Sequence, residues 1–180
     1  MSSPATPVFL AGFGNSEPEH WQSRWYARTG NGVWVTHESW TSPVRDDWVA
    51  DLEATLVGIA GPKFLVAHSL GCTLVAEWAT EHRNPDITGA FLVAPPDVRG
   101  ENFPTEAVGF DGSEDVRLPF PALLVASEND PYSSLERSRE LAGRWGARLA
   151  NVGRRGHINT ASGLGDWEEG RSLLDESFTR

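Results

Sequence analysis

The sequence is poor in cysteine and in basic residues. Its 180 residues include a single Cys, which excludes both an internal disulfide and a cysteine-based metal cage. There are 15 Lys and Arg against 25 Asp and Glu, which gives a formal net charge of −10. Because nucleic acids and anionic membranes would repel such a chain, we expect neither as a partner.

Long apolar runs and a leader-like beginning are also missing. No apolar run approaches membrane-spanning length, and residues 1–7 lack the charged and apolar regions of a signal peptide. We therefore expect a soluble, cytoplasmic protein. Gly12 and Gly14 complete neither common phosphate-binding motif, and the His and acidic residues lack metal-ligand spacing. We accordingly expect no cofactor and no metal.

The remaining composition is typical of a globular protein with many turns. Hydrophobic residues make up 39% and charged residues 22%, with 18 Gly and 12 Pro. The length fits one domain with a sizeable core. We expect residues 1–6 to form a short flexible N-terminus and residues 7–180 to form a single domain. Most of the eight tryptophans should pack in its interior.

Apolar runs alternate with helical patterns along the whole chain. The runs predict six strands, at residues 8–11, 33–35, 63–67, 90–94, 122–126 and 147–152. The helical patterns fall at residues 18–27, 44–59, 70–82, 134–145 and 167–178. This order predicts an α/β fold with a doubly wound, mainly parallel sheet and no separate lid domain. We expect the irregular stretch 99–119 to form a cover or a loop at the edge where the strands end.

Ser69 is the candidate nucleophile. It ends the apolar run 64–68 and lies between Ala67 and Gly71, close to the G-x-S-x-G pattern with Ala in place of the first Gly. A serine hydroxyl needs a base to take its proton. A sharp strand-to-helix turn would present the hydroxyl to such a base and aim backbone N–H groups at a developing oxyanion.

Five histidines compete for the role of base. In the chain order Ser, acid, His, the base follows the last strand, where His157 lies. His68 adjoins Ser69 on a strand, so the two side chains point in opposite directions, and we expect His68 to be buried or to play a supporting part. His82 falls near the end of a predicted helix, where the dipole favours a cation. The other two lie near earlier elements: His20 and His37.

The acid has more than one candidate. Asp130 follows the fifth predicted strand, where the order of the three residues places the acid. Its carboxylate could instead merely cap the following helix. Asp97 follows the fourth strand and remains a rival, and Glu128 is a third candidate. For the oxyanion we expect two backbone donors, the N–H groups of Phe13 and Leu70.

Several segments carry a family resemblance. They are residues 11–14, 20–21, 67–71, 92–97, 127–132, 156–159 and 162–167. Together they resemble the small serine hydrolases of the retinoblastoma-binding-protein-9 type, a compact lidless branch of the α/β-hydrolase superfamily. The resemblance implies that Ser69, Asp130 and His157 are nucleophile, acid and base, in an enzyme similar to carboxylesterases or amidases. Retinoblastoma binding is not implied, because residues 70–74 lack the acid of the L-x-C-x-E motif.

The sequence thus predicts a carboxylesterase-like serine hydrolase of class EC 3.1. It would cleave small ester or amide substrates through an acyl-enzyme on Ser69, in an open and shallow pocket. A non-catalytic binding protein with the same fold remains an alternative, as does an acyltransferase or thioesterase with the same triad. We expect a small-molecule ester or amide substrate as a partner. The sequence does not indicate whether there is a protein partner.

Overall fold

The computed structural model describes residues 4–178, which form a three-layer α/β fold. The strands are β1 (Thr6–Leu10), β2 (Val33–Trp34), β3 (Lys63–His68), β4 (Ile87–Val93), β5 (Ala122–Ala126) and β6 (Arg148–Asn151). All pairs are parallel, in the order β2-β1-β3-β4-β5-β6. The helices are α1 (Trp21–Thr29), α2 (Arg45–Gly58), α3 (Leu70–Glu81), α4 (Leu135–Trp145) and α5 (Glu168–Phe178). The predicted fold class is confirmed.

The sheet separates two hydrophobic cores. Leu65 and Ala67 of β3 face one core, while Val66 between them faces the other. Because both faces are covered, the central strands are continuous apolar runs rather than alternating ones. Six of the eight tryptophans are buried as expected, three in each core: Trp48, Trp78 and Trp145 in the first, Trp21, Trp25 and Trp167 in the second.

Two boundaries differ from the sequence prediction by three residues, and the others by no more than two. β4 begins at Ile87, three residues early. It includes Gly89, where the rings of Phe64 and Phe178 fill the space that a side chain would occupy. α1 begins at Trp21 rather than at residue 18, since His20 serves as its N-cap. Residues 1–3 of the predicted N-terminal segment 1–6 lie outside the described residues, and Thr6 is the first residue of β1. Residues 179–180 also lie outside the described residues.

Part of the stretch 99–119 covers the edge where the strands end. Residues 102–104 line the cavity at that edge, and the Asn102 side chain donates to the Pro131 carbonyl at 2.8 Å. Val108 forms a bridge with Val44, which fixes the stretch against the start of α2. The prediction is confirmed for residues 102–104, whereas residues 113–115 form a short 3-10 turn that packs on α3 and α4. Residues 4–178 contain no separate lid domain. No helix in this range is both long and apolar enough to span a membrane.

Candidate active site

Ser69 lies in a strained turn between β3 and α3. Its φ is 55° and its ψ is −124°, a backbone conformation that residues other than glycine rarely adopt. The turn is held close to β1: a Cβ on Gly71 would lie 2.3 Å from the Leu10 carbonyl oxygen. Only glycine fits there. This geometry lifts the Ser69 side chain out of the strand and into the cavity at the sheet edge.

A continuous chain of hydrogen bonds joins Ser69, His157 and Asp130. His157 Nε2 lies 2.8 Å from Ser69 Oγ. His157 Nδ1 lies 3.0 and 2.9 Å from the two carboxylate oxygens of Asp130. A carboxylate only accepts, so Nδ1 carries the proton and Nε2 is left to accept from the serine hydroxyl. The His157 and Asp130 side chains are 9% and 4% exposed, which shields this chain from water.

The structure also shows what the competing acids do. Asp97 accepts from Arg137 Nε at 3.2 Å and from the Arg99 N–H at 3.1 Å. Glu128 accepts from the side-chain amide of Asn151 at 3.0 Å. The helix after Asp130 has its own cap, since Ser134 accepts the N–H of Arg137. Asp130 is thus the carboxylate that the structure brings to His157.

His68 and His20 line the same cavity, and His68 contacts His157. The rings of His20 and His68 lie 4.6 Å apart, and those of His68 and His157 lie 5.0 Å apart. Burial, with a smaller contribution from His157, lowers the pKa of His20 to about 4. Burial, followed by the charges of His20 and His157, lowers the pKa of His68 well below its usual value. Both rings are therefore neutral at pH 7, and His68 is buried as predicted.

The remaining two histidines belong to other parts of the structure. His37 stacks on Trp48 at 3.9 Å, and its Nδ1 lies 2.7 Å from Asp51. His82 stacks on Trp78 at the end of α3. Neither lines the cavity.

The expected oxyanion donors lie next to the nucleophile. A Cβ on Gly12 would come within 2.9 Å of Ser69 Cβ and 3.1 Å of the Leu70 nitrogen, so the loop after β1 packs directly on the turn. Phe13 and Leu70 both line the cavity. Within residues 4–178, neither of their N–H groups donates to a protein acceptor. Both remain available to a ligand oxygen.

The cavity itself has a volume of about 430 Å³. Aromatic rings of Phe13, Phe103 and Tyr132 form much of its wall, and the Tyr132 ring lies 4.5 Å from that of His157. Glu17 is the one acidic residue lining it, and none of the lining residues is Lys or Arg. In the described part of the chain, no three His, Cys, Asp or Glu residues are grouped to hold a metal ion.

Comparison with known proteins gives a family and a set of structural neighbours. The family model described as "Serine hydrolase" matches residues 7–176. A YdeN-like hydrolase from Pectobacterium atrosepticum is 32% identical, with a TM-score of 0.85, over 96% of this chain and 90% of that one. The YdeN gene product of Bacillus subtilis is 19% identical, with a TM-score of 0.82, over 98% of this chain and 100% of that one.

More distant structures share the fold. A thermophilic esterase from Thermogutta terrifontis is 15% identical, with a TM-score of 0.67, over 99% of this chain and 92% of that one. None of the curated proteins matches the chain significantly. The family match extends over almost the whole sequence, and the P. atrosepticum hydrolase matches it at both the sequence and the structural level. The chain therefore belongs to the serine hydrolase family, in the α/β-hydrolase superfamily, and is a hydrolase.

Proposed function

We propose that this hydrolase cleaves small carboxylic esters or amides by forming an acyl-enzyme on Ser69. The observation that carries the proposal is the hydrogen-bonded chain from Asp130 through His157 to Ser69 Oγ, which ends in the cavity. A serine hydroxyl becomes a competent nucleophile when a correctly oriented imidazole can take its proton. The three side chains are arranged for that transfer.

In the acylation step, Ser69 Oγ attacks the substrate carbonyl carbon while its proton passes to His157 Nε2. The resulting imidazolium is stabilised by the Asp130 carboxylate, which accepts its Nδ1–H. The negative oxygen of the tetrahedral intermediate would be bound by the N–H groups of Phe13 and Leu70. When the intermediate collapses, the bond to the leaving group breaks and His157 gives that group its proton.

Deacylation repeats the sequence with water. His157 Nε2 takes a proton from the water molecule as its oxygen attacks the acyl carbon. Collapse of the second tetrahedral intermediate releases the carboxylic acid, and the proton returns from His157 to Ser69 Oγ. No other reactant is needed, and every proton that leaves Ser69 or water passes through His157.

The cavity supports a small substrate. Its volume of about 430 Å³ lies near the lower end of the range for ligand pockets, and residues 102–104 cover it from one side. A short acyl chain fits such a space, whereas a long one would have to leave it. We therefore expect a carboxylesterase-like preference for short acyl groups.

Fluorophosphonate labelling combined with ester hydrolysis tests this function. We expect the wild-type protein to be labelled and to hydrolyse p-nitrophenyl acetate faster than p-nitrophenyl laurate. The Ser69→Ala variant, shown to be folded by circular dichroism, should lose both the label and turnover above background. A folded wild-type protein that neither labels nor turns over would contradict the proposal and would favour a binding protein. A preference for the laurate would contradict the size argument alone.

A further inference from the structure

The loop that carries His157 is held by side chains from three other parts of the molecule. We call residues 155–158 the base loop. On one side, Ser127 Oγ accepts the N–H of residue 155, and Asn129 Oδ1 accepts the N–H of residue 156, both at 2.9 Å. On the other side, His68 Nε2 donates to the carbonyl of His157 at 3.0 Å, and Trp21 Nε1 donates to the carbonyl of Ile158 at 2.9 Å.

The base loop needs such support because its backbone is strained. Ile158 has a φ of +50°, and Gly156 has a φ of +58°. A β-branched residue in the left-handed region is a true outlier, and it persists only where the surroundings determine it. Ile158 is also fully buried, so its side chain anchors the turn while its carbonyl is taken by Trp21.

The two donors are themselves buried. Trp21 is 1% exposed and packs against Trp25 and Trp167, with ring centroids 4.7 and 5.0 Å away. A carbonyl only accepts, so the proton of His68 lies on Nε2, and burial keeps that ring neutral. His68 also directly precedes Ser69. Its hydrogen bond therefore connects the strand of the candidate nucleophile to the loop of the candidate base.

We propose that Trp21 and His68 are positioning residues that set the distance between His157 Nε2 and Ser69 Oγ. The inference rests on the proposed function, because the distance matters only if the proton is transferred. Without either donor, the strained base loop can relax and carry His157 away from the 2.8 Å contact. A small displacement of a reacting group can cost a large factor in rate. Trp21 does not line the cavity, so substrate binding should be little affected.

The central test is a pair of matched tryptophan variants. Trp21→Phe removes the N–H donor and keeps an aromatic ring. Trp25→Phe is the control, because Trp25 lies one turn later on α1, is also buried and donates its Nε1–H to the Asp166 carbonyl at 2.7 Å. We expect Trp21→Phe to lower kcat for p-nitrophenyl acetate by about tenfold to a hundredfold at nearly unchanged KM, and Trp25→Phe to keep wild-type kcat.

A second pair of variants tests His68 and does not depend on Trp21→Phe folding. His68→Gln can place a side-chain N–H donor near the original Nε2 position, whereas His68→Leu cannot. We expect the Gln variant to recover most of the kcat that the Leu variant loses. The fluorophosphonate labelling rate should follow kcat in both pairs, since labelling uses the same proton transfer and does not require the ester.

The outcomes separate this inference from the proposed function. An active wild-type protein with a Trp21→Phe variant of unchanged kcat would overturn the positioning role and leave the hydrolase mechanism standing. Equal losses in Trp21→Phe and Trp25→Phe, or in His68→Gln and His68→Leu, would also overturn it, since packing alone would explain them. A folded wild-type protein that neither labels nor turns over would overturn both.

Discussion

At the scale of single residues, two aspartates near the ends of the neighbouring strands β4 and β5 have different roles. Asp130 accepts the Nδ1–H of His157, whereas Asp97 forms an ion pair with Arg137. The local sequence does not reveal which aspartate contacts His157, because both aspartates follow buried strands and both precede turns. Asp130 is 4% exposed at its side chain and Asp97 is 27% exposed, so only the first lies in a shielded chain of hydrogen bonds.

This difference predicts opposite results for two isosteric variants. Asp130→Asn places an amide against His157, which favours the wrong imidazole tautomer, and we expect kcat to fall by about 10³–10⁴-fold. Asp97→Asn removes only the charge paired with Arg137, so kcat should stay within about threefold of wild type. Steady-state hydrolysis of p-nitrophenyl acetate by the two folded proteins measures both. A larger loss from Asp97→Asn would reverse the assignment of the acid.

At the scale of elements, the start of α3 must cross β1 at very short range. The Cβ that Gly71 lacks would meet backbone atoms of Leu10 and Ala11, which cannot move away without disturbing the central sheet. Gly143, in α4, is exposed and has nothing within 4 Å of its missing Cβ. Gly71 and Gly143 are thus both helical glycines, but only Gly71 is required by close packing.

Alanine at these two glycines should therefore change stability in opposite directions. We expect Gly71→Ala to lower the free energy of unfolding by about 1–3 kcal/mol through overpacking. Gly143→Ala should raise it by about 0.5–1 kcal/mol, because alanine loses less backbone entropy in a helix. Urea unfolding followed by circular dichroism gives both values. A stable Gly71→Ala variant would mean that α3 and β1 are not in the close contact described.

The order of elements could be read from the sequence, whereas the long-range contacts of the site could not. Continuous apolar runs and helical periodicity predict the six strands and five helices, and the small residues around Ser69 predict its turn. The hydrogen bond from Trp21 Nε1 to the Ile158 carbonyl joins residues 137 positions apart, and no local sequence pattern indicates it. The positive φ of Ile158 is equally hidden, since a β-branched residue predicts the opposite conformation.

At the scale of the whole molecule, buried neutral histidines make the fold sensitive to acid. Unfolded His takes up a proton near pH 6.5, whereas folded His20 does so only near its lowered pKa of about 4. The contribution of neutral His20 to the free energy of unfolding is complete above pH 6.5. It is lost as the pH falls from 6.5 towards 4, because the unfolded state then binds more protons than the folded state. The pKa values of His68 and His37 are lowered in the same direction.

This linkage predicts a decrease in stability between pH 7 and pH 5. Each such histidine can contribute a slope of up to about 1.4 kcal/mol per pH unit. The His20→Asn variant keeps a side-chain acceptor at the N-cap of α1 and cannot titrate, so its melting temperature should fall less over this range. Thermal unfolding at several pH values compares it with wild type. Identical pH profiles for the two proteins would mean that the pKa of His20 is the same in the folded and unfolded states.

The most direct measurement is the identification of the covalently modified residue. Wild-type protein would be treated with a fluorophosphonate, or quenched during p-nitrophenyl acetate hydrolysis, digested, and examined by tandem mass spectrometry. We predict one modified site, on Ser69, with no modification in the Ser69→Ala variant. A modification on another residue, or hydrolysis that continues in folded Ser69→Ala, would contradict the assignment of Ser69 as the nucleophile.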